Sequence, residues 1–150
     1  MPQSLSSILV HLVFSTKRRE PLITAEIEPE LHKYMATAFH SLKSPALLIG
    51  GTEDHIHTLL SLSRSWAMAD VVGEVKTSSS KWIKTKGLGF RRFEWQTGYG
   101  AFSIGQSGVA ALKRYITGQK DHHERHSFQD ELRVLCRKYG VGLDERYVWD

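Results

Sequence analysis

The sequence has few of the features that mark exported or membrane-embedded proteins. Cys136 is the only cysteine, so a disulfide within the chain is excluded and a reducing compartment is expected. No stretch approaches the roughly 18 consecutive apolar residues of a membrane-spanning helix. The first residues also lack the apolar core and the cleavage site of a signal peptide. We therefore expect a soluble, cytoplasmic protein with no membrane partner.

Internal repeats, low-complexity segments and long linkers are absent as well. A chain of 150 residues without them is expected to form one domain, spanning residues 1–150. There is no Gly-x-x-x-x-Gly-Lys-Ser/Thr loop, so a nucleotide-phosphate site of that kind is not predicted. The net charge of +4 permits a polyanionic partner without requiring one.

Two histidines, His55 and His57, stand in an apolar segment that is typical of a β-strand. Alternate residues of a strand project to the same face, so the two imidazoles should lie side by side. Such a pair can share a metal ion and leave coordination positions open for a substrate. Many pairs with this spacing are only the polar face of a half-buried strand, so the spacing alone leaves both interpretations open.

A second pair, Tyr115 and Gln119, lies in a segment with helical periodicity. Val109, Leu112 and Ile116 have the spacing of a core-facing stripe. The tyrosine and the glutamine are four residues apart, which places them one turn apart on an adjoining stripe. The alternative is a tyrosine at the edge of the core beside a solvated glutamine.

The order of the predicted elements indicates an α+β fold, a ferredoxin-like β-α-β-β-α-β sheet with additional C-terminal helices, one of which carries Tyr115. Strands are predicted at 4–16, 46–49, 55–62 and 90–104, and helices after Pro21, at 67–84, at 108–119 and at 127–138. This fold hosts many unrelated functions, so it does not identify one.

Five short segments, taken in order, resemble single-tyrosine HUH transposases of the insertion-sequence-200/605-like kind. They are residues 11–18 (HLVFSTKR), 54–57 (DHIH), 75–80 (VKTSSS), 95–99 (WQTGY) and 115–119 (YITGQ), with a tail at 127–131 and 147–149 typical of a subgroup. The resemblance implies a transposase that cleaves and rejoins single-stranded DNA with hairpin ends. Tyr115 would be the catalytic nucleophile and would form a 5′-phosphotyrosine intermediate.

The same resemblance implies a divalent metal, for which Mg²⁺ or Mn²⁺ suits mixed nitrogen and oxygen ligands. His55, His57 and Gln119 would be the ligands, with Gln119 on the helix that carries the nucleophile. It further implies a homodimer in which the tyrosine helix of one subunit serves the histidines of the other. Gly105 and Gly108, before that helix, would allow it to swing, or they form an ordinary turn.

Basic residues at two places are candidates for DNA binding, although basic turns are often merely solvated. They are Lys17, Arg18 and Arg19 after the first strand, and Lys81, Lys84, Arg91 and Arg92 around the end of the second helix. Trp95 and Tyr99 could stack on bases, but their place on an alternating strand favours the core. His11 is assigned to a core or hydrogen-bonded position, and His122, His123 and His126 are assigned to the surface. Asp54 is expected on the face opposite the two histidines.

Three other functions remain open. A domesticated relative that processes chromosomal repeats would have the same sequence features. A non-catalytic nucleic-acid-binding module on this fold would stack bases on aromatic residues of its central strand, and residues 55–62 contain none. A metal-dependent hydrolase would require a further acidic or histidine ligand, which the sequence does not reveal.

Overall fold

The computed structural model describes residues 2–150, in which a four-stranded antiparallel sheet has helices on both faces. The strands, in spatial order β2-β3-β1-β4, are β1 (Leu9–Ser15), β2 (Ala46–Gly51), β3 (His55–Ser61) and β4 (Gly100–Ile104). The helices are α1 (Glu28–Ser41), α2 (Met68–Lys84), α3 (Val109–Thr117), α4 (Gln119–His123) and α5 (Phe128–Tyr139). The predicted ferredoxin-like α+β fold is thereby confirmed.

One face of the sheet forms an apolar core with α1 and α2. Residues 31, 35 and 39 of α1 are four apart, so their side chains form one stripe that packs onto the sheet. The core residues on this face include Val10, Leu12 and Phe14 of β1, Ile56 and Leu60 of β3, Leu31, Met35 and Phe39 of α1, and Val71 and Val75 of α2. Each contributes about 1.5–3 kcal/mol by leaving water. This layer holds the two central strands rigidly.

The opposite face combines polar and apolar side chains. Because side chains alternate along a strand, His11 of β1 and His55 and His57 of β3 all point to this face. Two apolar clusters flank them. One joins Val13 and Phe102 to Phe128, Leu132 and Leu135 of α5, and the other joins Leu9 and Leu59 to Leu112 and Ile116 of α3. The imidazoles therefore lie buried under helices between two apolar regions.

Two strand predictions were too long. β1 begins at Leu9 rather than Ser4, and β4 begins at Gly100 rather than Phe90. The segment before β4 forms only an isolated bridge from Trp95 to Thr16. Two carbonyl groups of this segment accept hydrogen bonds from Lys76 of α2. Its Nζ donates to Gln96 O at 2.8 Å and to Gly98 O at 2.6 Å. A backbone bonded to a side chain in this way cannot extend the ladder.

The helix predicted at 108–119 is divided in two. α3 ends at Thr117 and α4 begins at Gln119, with Gly118 between them at φ −86° and ψ 12°. These angles leave the helical region, and glycine has a low helix propensity. The prediction that Gln119 lies on the same helix as Tyr115 was therefore wrong. Gln119 begins a separate short helix next to it.

The final helix agrees with its prediction at both ends. Ser127 Oγ accepts a hydrogen bond from Asp130 N at 3.1 Å and so caps α5. Gly140 ends the helix in the left-handed conformation at φ 67°, which glycine adopts without strain. Within residues 2–150, no helix has the length and apolarity needed to cross a membrane.

A close contact seats α3 against the sheet. A β-carbon added at Gly50 of β2 would lie 2.7 Å from Ile116 Cγ2 and 2.8 Å from Ile116 O. Only a hydrogen atom fits between β2 and α3 at this point. The contact therefore fixes the position of the helix that carries Tyr115.

We expect Gly50→Ala to destabilise the fold by about 1–3 kcal/mol, because the new methyl group overlaps the α3 backbone. Urea unfolding followed by circular dichroism measures the change. Gly73→Ala on α2 is the matched control, since a β-carbon there meets nothing within 4 Å. It should stabilise the fold by about 0.5–1 kcal/mol, because alanine favours helix. Similar effects of the two substitutions would contradict the close packing at Gly50.

Candidate active site

His55 and His57 direct their Nε2 atoms toward one carboxylate, that of Glu131. The distance to Glu131 Oε1 is 2.8 Å from His57 Nε2 and 3.6 Å from His55 Nε2. Both imidazoles are fully buried, with 0 % exposure. The prediction that the two side chains share one face is confirmed by the register of β3 against β1.

The Nδ1 atoms of the same two rings are bonded on the other side. His55 Nδ1 lies 2.7 Å from Asp54 Oδ1 and 2.9 Å from Thr52 Oγ1. Asp54 was expected on the opposite face, which was wrong, because it precedes β3 and its carboxylate turns back toward the ring. This partner fixes the orientation of His55 and leaves its Nε2 available as a ligand.

His11 plays the corresponding part for His57. His11 Nε2 lies 2.7 Å from His57 Nδ1, and the two rings stack at 5.0 Å. Burial lowers the pKa of His11 to about 3, so its ring is neutral at physiological pH. The neutral ring of His11 bonds to His57 Nδ1 and so fixes the orientation in which His57 Nε2 faces Glu131. The predicted core or hydrogen-bonded position of His11 is confirmed.

Glu131 of α5 is the residue on which the site converges. Its Oε1 also lies 3.0 Å from His123 Nε2, and its Oε2 accepts hydrogen bonds from Gln119 Nε2 at 3.1 Å and from Tyr115 Oη. Only 4 % of the residue is exposed. Burial alone would raise the pKa of this carboxyl, but hydrogen bonds from His123 and His57 hold it below its usual range. The residue is therefore a buried carboxylate anion.

Tyr115 lies directly above the histidines. Its ring centroid is 5.6 Å from that of His57 and 6.1 Å from that of His11. Burial, followed by the charge of Glu131, raises the pKa of the phenol well above its usual value. The hydroxyl is thus protonated and needs charge compensation before it can act as a nucleophile.

Four side chains could hold a metal ion: His55, His57, His123 and Glu131, whose ligand atoms all lie within 4.8 Å of one another. Gln119 borders the group, with Oε1 at 3.1 Å from His55 Nε2. The donor set of three imidazoles and one carboxylate suits a divalent transition metal. The site thus contains the predicted His55, His57 and Gln119, together with two residues that were not predicted.

The two additional residues, His123 and Glu131, were missed for different reasons. His123 was assigned to the surface with its neighbours, but its side chain is half-buried against Glu131. The sequence position of Glu131 does contain a signal for a buried site. It lies on the stripe of α5 formed by Phe128, Leu132 and Leu135, where a carboxylate is unexpected unless it has a buried partner.

The site is complete within one chain. Tyr115 reaches the histidines of its own sheet through Glu131, and Ile116 beside it packs against β2. These contacts within one chain are in cis, and the composite site, in which a second subunit supplies the tyrosine helix, stays a prediction.

The predicted DNA-binding residues separate into two groups. Lys17, Arg18, Arg91 and Arg92 line one surface cavity of about 380 Å³, in which Lys17 pairs with Glu94 at 3.1 Å. Arg19 is exposed on the same turn, whereas Lys81 and Lys84 are exposed on α2 outside this cavity.

Of the aromatic pair assigned to the core, Trp95 is buried and donates to Ser79 Oγ at 3.0 Å, but Tyr99 is exposed.

A family model described as "Transposase IS200 like" matches residues 4–119. The chain belongs to the IS200-like transposase family. His123 and Glu131 lie beyond the matched segment of this transposase, so the family pattern does not account for them.

Solved structures agree with this transposase in fold. One is a protein from Deinococcus radiodurans R1, described as a candidate transposase, with 18% identity and a TM-score of 0.62 over 79% of this chain and 98% of that chain. Another is a REP-associated tyrosine transposase bound to a REP hairpin, with 13% identity and a TM-score of 0.60 over 82% of this chain and 72% of that chain. No sequence among curated proteins matches this chain.

We expect Glu131→Gln to lower the pKa of His123 when the protein is kept metal-free with a chelator. In the native chain, burial alone would lower this pKa, but the hydrogen bond to Glu131 raises it above its usual value. An NMR titration of the ring measures the change. The contact should stabilise the fold below the unfolded pKa of histidine, and this stability should be lost as the pH rises through the raised folded-state pKa.

The control for this titration is Asp130→Asn, which removes one negative charge from the exposed side of the same helix. It should leave the pKa of His123 close to its native value. A His123 pKa that falls equally in both variants would contradict the direct contact with Glu131.

Proposed function

We propose that this transposase cleaves and rejoins single-stranded DNA through a 5′-phosphotyrosine intermediate on Tyr115. The observation that supports this most directly is the convergence of the phenol and the two imidazoles on the Glu131 carboxylate. A nucleophile and a set of metal ligands thus lie within one buried site. A scissile phosphate placed there would be within reach of both.

The reaction would proceed by direct displacement at phosphorus. Tyr115 Oη would attack the phosphorus atom once the phosphate has opened its hydrogen bond to Glu131 Oε2, and the phenol proton would pass to water. The bond from phosphorus to the 3′ oxygen would break and this oxygen would take up a proton from water, which leaves a free 3′-hydroxyl and a 5′-phosphotyrosine. Attack by a 3′-hydroxyl on this linkage reverses the step, so rejoining requires no nucleotide hydrolysis.

His55, His57 and Glu131 would hold the divalent metal, with His123 or Gln119 as a further ligand. When bound, the metal would neutralise charge on the phosphoryl oxygens and orient the phosphate. Of the two ions considered from the sequence, Mn²⁺ fits these residues better than Mg²⁺, because Mg²⁺ prefers an all-oxygen shell. The bonds of His11 and Asp54 to the Nδ1 atoms would keep both Nε2 atoms directed at the ion.

The basic turn at Lys17, Arg18 and Arg19 is proposed to contact the phosphate backbone of the substrate. Arg18 and Arg19 both adopt positive φ, at 57° and 55°, a strained conformation that tends to persist at functional positions. The turn follows Thr16, whose backbone N donates to Asp54 O at 2.8 Å, so it lies at the His55 end of the sheet. A structural neighbour binds a REP hairpin, which supports hairpin DNA as the ligand here.

A hydrolase in which water attacks instead of Tyr115 is the second candidate. The sequence revealed no acidic ligand for such a hydrolase, and Glu131 is a candidate for that ligand. The position of Tyr115 next to the metal-ligand candidates favours the tyrosine as nucleophile, since its ring centroid lies 5.6 Å from that of His57. The two reactions give different products, a protein–DNA adduct or a free 5′-phosphate.

The homodimer with shared active sites stays a prediction from the family resemblance. Within one chain, Tyr115 contacts Glu131 beside the two histidines, so the residues proposed for the reaction can also meet without a second subunit. Whether the DNA belongs to a mobile element or to a chromosomal repeat depends on the flanking genome, where imperfect palindromes at both ends would support a mobile element.

Incubation of the native protein with Mn²⁺ and single-stranded DNA from the flanking palindromes should give an adduct that survives denaturation in SDS. Tyr115→Phe should abolish the adduct and retain DNA binding, because only one hydroxyl is removed. Gel mobility and mass spectrometry of the adduct measure the outcome. An adduct of native yield in the variant would rule out Tyr115 as the nucleophile, and a free 5′-phosphate without adduct would favour the hydrolase.

Loss of a metal ligand should weaken Mn²⁺ binding more than loss of a supporting residue, which typically costs about 10–100-fold. We therefore expect His57→Ala and Glu131→Gln to have the largest effects in isothermal titration calorimetry, and Gln119→Ala a smaller one. His11→Leu should fall in the supporting range, and His11→Gln should recover part of the loss because an amide oxygen can accept from His57. Unchanged Mn²⁺ affinity after His57→Ala would refute the proposed site, and chelation by EDTA should abolish cleavage.

A further inference from the structure

The site opens into a cavity of about 770 Å³ that extends beyond the residues used by the proposed chemistry. Its two long walls are α3 and α5, and the end of β4 and the turn that follows close one side. Tyr115 and Glu131 form the wall nearest the site. Anything held in this cavity would therefore touch the nucleophile.

The walls of the cavity are mainly apolar. They include Ile104, Ala111, Leu112, Val134 and Leu135, together with the aromatic ring of Tyr139. Tyr139 is held in place by stacking on Phe102 at 5.0 Å. Val134 lies at the rim and is 54% exposed. Such a surface favours a flat, partly apolar group over a hydrated one.

The cavity offers little positive charge to a phosphate away from the site. Lys138 is the one lysine among the residues that line it, and Asp130, at the end near the site, pairs with Arg133 at 3.0 Å. A nucleobase carries no net charge and requires no cationic partner there. The volume is that of a small-ligand cavity, about 300–1,000 Å³, which admits a base with its sugar.

We propose that this cavity is the subsite for the unpaired nucleobase next to the scissile phosphate. The proposal rests on the function proposed above, since it takes single-stranded DNA as the substrate. The base would enter between α3 and α5 and contact the ring of Tyr139, while its phosphate remains at the metal ligands. A paired base cannot enter, so the cavity would select single-stranded DNA at the position of cleavage.

The test compares two probes of equal length and charge, oligothymidine and an abasic oligomer with the same phosphate backbone. Both are fluorescently labelled, and binding to the Tyr115→Phe chain is measured by anisotropy at one salt concentration, because backbone binding depends on salt. Val134→Trp should fill the rim and weaken oligothymidine binding about tenfold, the usual scale of one lost base-stacking contact. It should leave binding of the abasic oligomer unchanged.

Val141→Trp is the matched control, because Val141 is also an exposed valine and lies outside the cavity. It should leave binding of both oligomers unchanged. The proposal would be overturned if Val134→Trp weakened binding of both oligomers equally, or if it weakened binding of neither. It would also be overturned if the parent chain bound neither oligomer. Binding of a second copy of the chain at this surface, detected as a dimer that Val134→Trp dissociates without any effect on base discrimination, would overturn it too.

Photocrosslinking supplies an independent readout. An oligomer containing 5-iododeoxyuridine should crosslink to the peptide that contains Tyr139, and a crosslink only to the basic turn at residues 17–19 would count against the subsite. Failure of the wider function is distinguishable, because it shows as a native protein that forms no adduct. Base discrimination that persists in such a protein would retain the subsite and reject only the role of Tyr115.

Discussion

A single buried carboxylate, Glu131, holds the second face of this protein together. Removing an ionised group from water costs several kcal/mol unless partners replace the lost hydration. Here the partners are imidazoles from the sheet and from α4, a phenol from α3 and an amide from α4. The anion thus joins three helices to the sheet, and loss of one partner from such a buried group typically costs about 3–5 kcal/mol.

The two sides of the site differ in how firmly they are held. His11, His55 and His57 lie on the two central strands, which are bonded to neighbours on both sides. The nucleophile and the carboxylate lie on short helices, and helices of this length depend on tertiary packing for their stability. The sheet therefore fixes these three imidazoles, whereas the positions of Tyr115 and Glu131 depend on how α3 and α5 pack against it. This arrangement suits a reaction in which the bond between Tyr115 and Glu131 must open to admit a phosphate.

Local periodicity accounts for the parts of the site that the sequence revealed. Strand alternation places His55 and His57 together, and helical spacing directs Tyr115 inward, so both follow from neighbours in the chain. The partnership of His57 with Glu131 spans 74 residues and exists only because α5 docks on the sheet. No local pattern encodes such a contact. The same holds for the shortened β4, whose start is set by hydrogen bonds from Lys76 on another element.

The close approach of α3 to β2 at Gly50 limits which residues can occupy this position in a protein that packs its tyrosine helix in the same way. A relative with a larger residue at the equivalent position could not seat its tyrosine helix on its own sheet at this distance. Such a relative would have to hold the helix further from its sheet, so the distance between its tyrosine and its histidines would differ from the one in this chain.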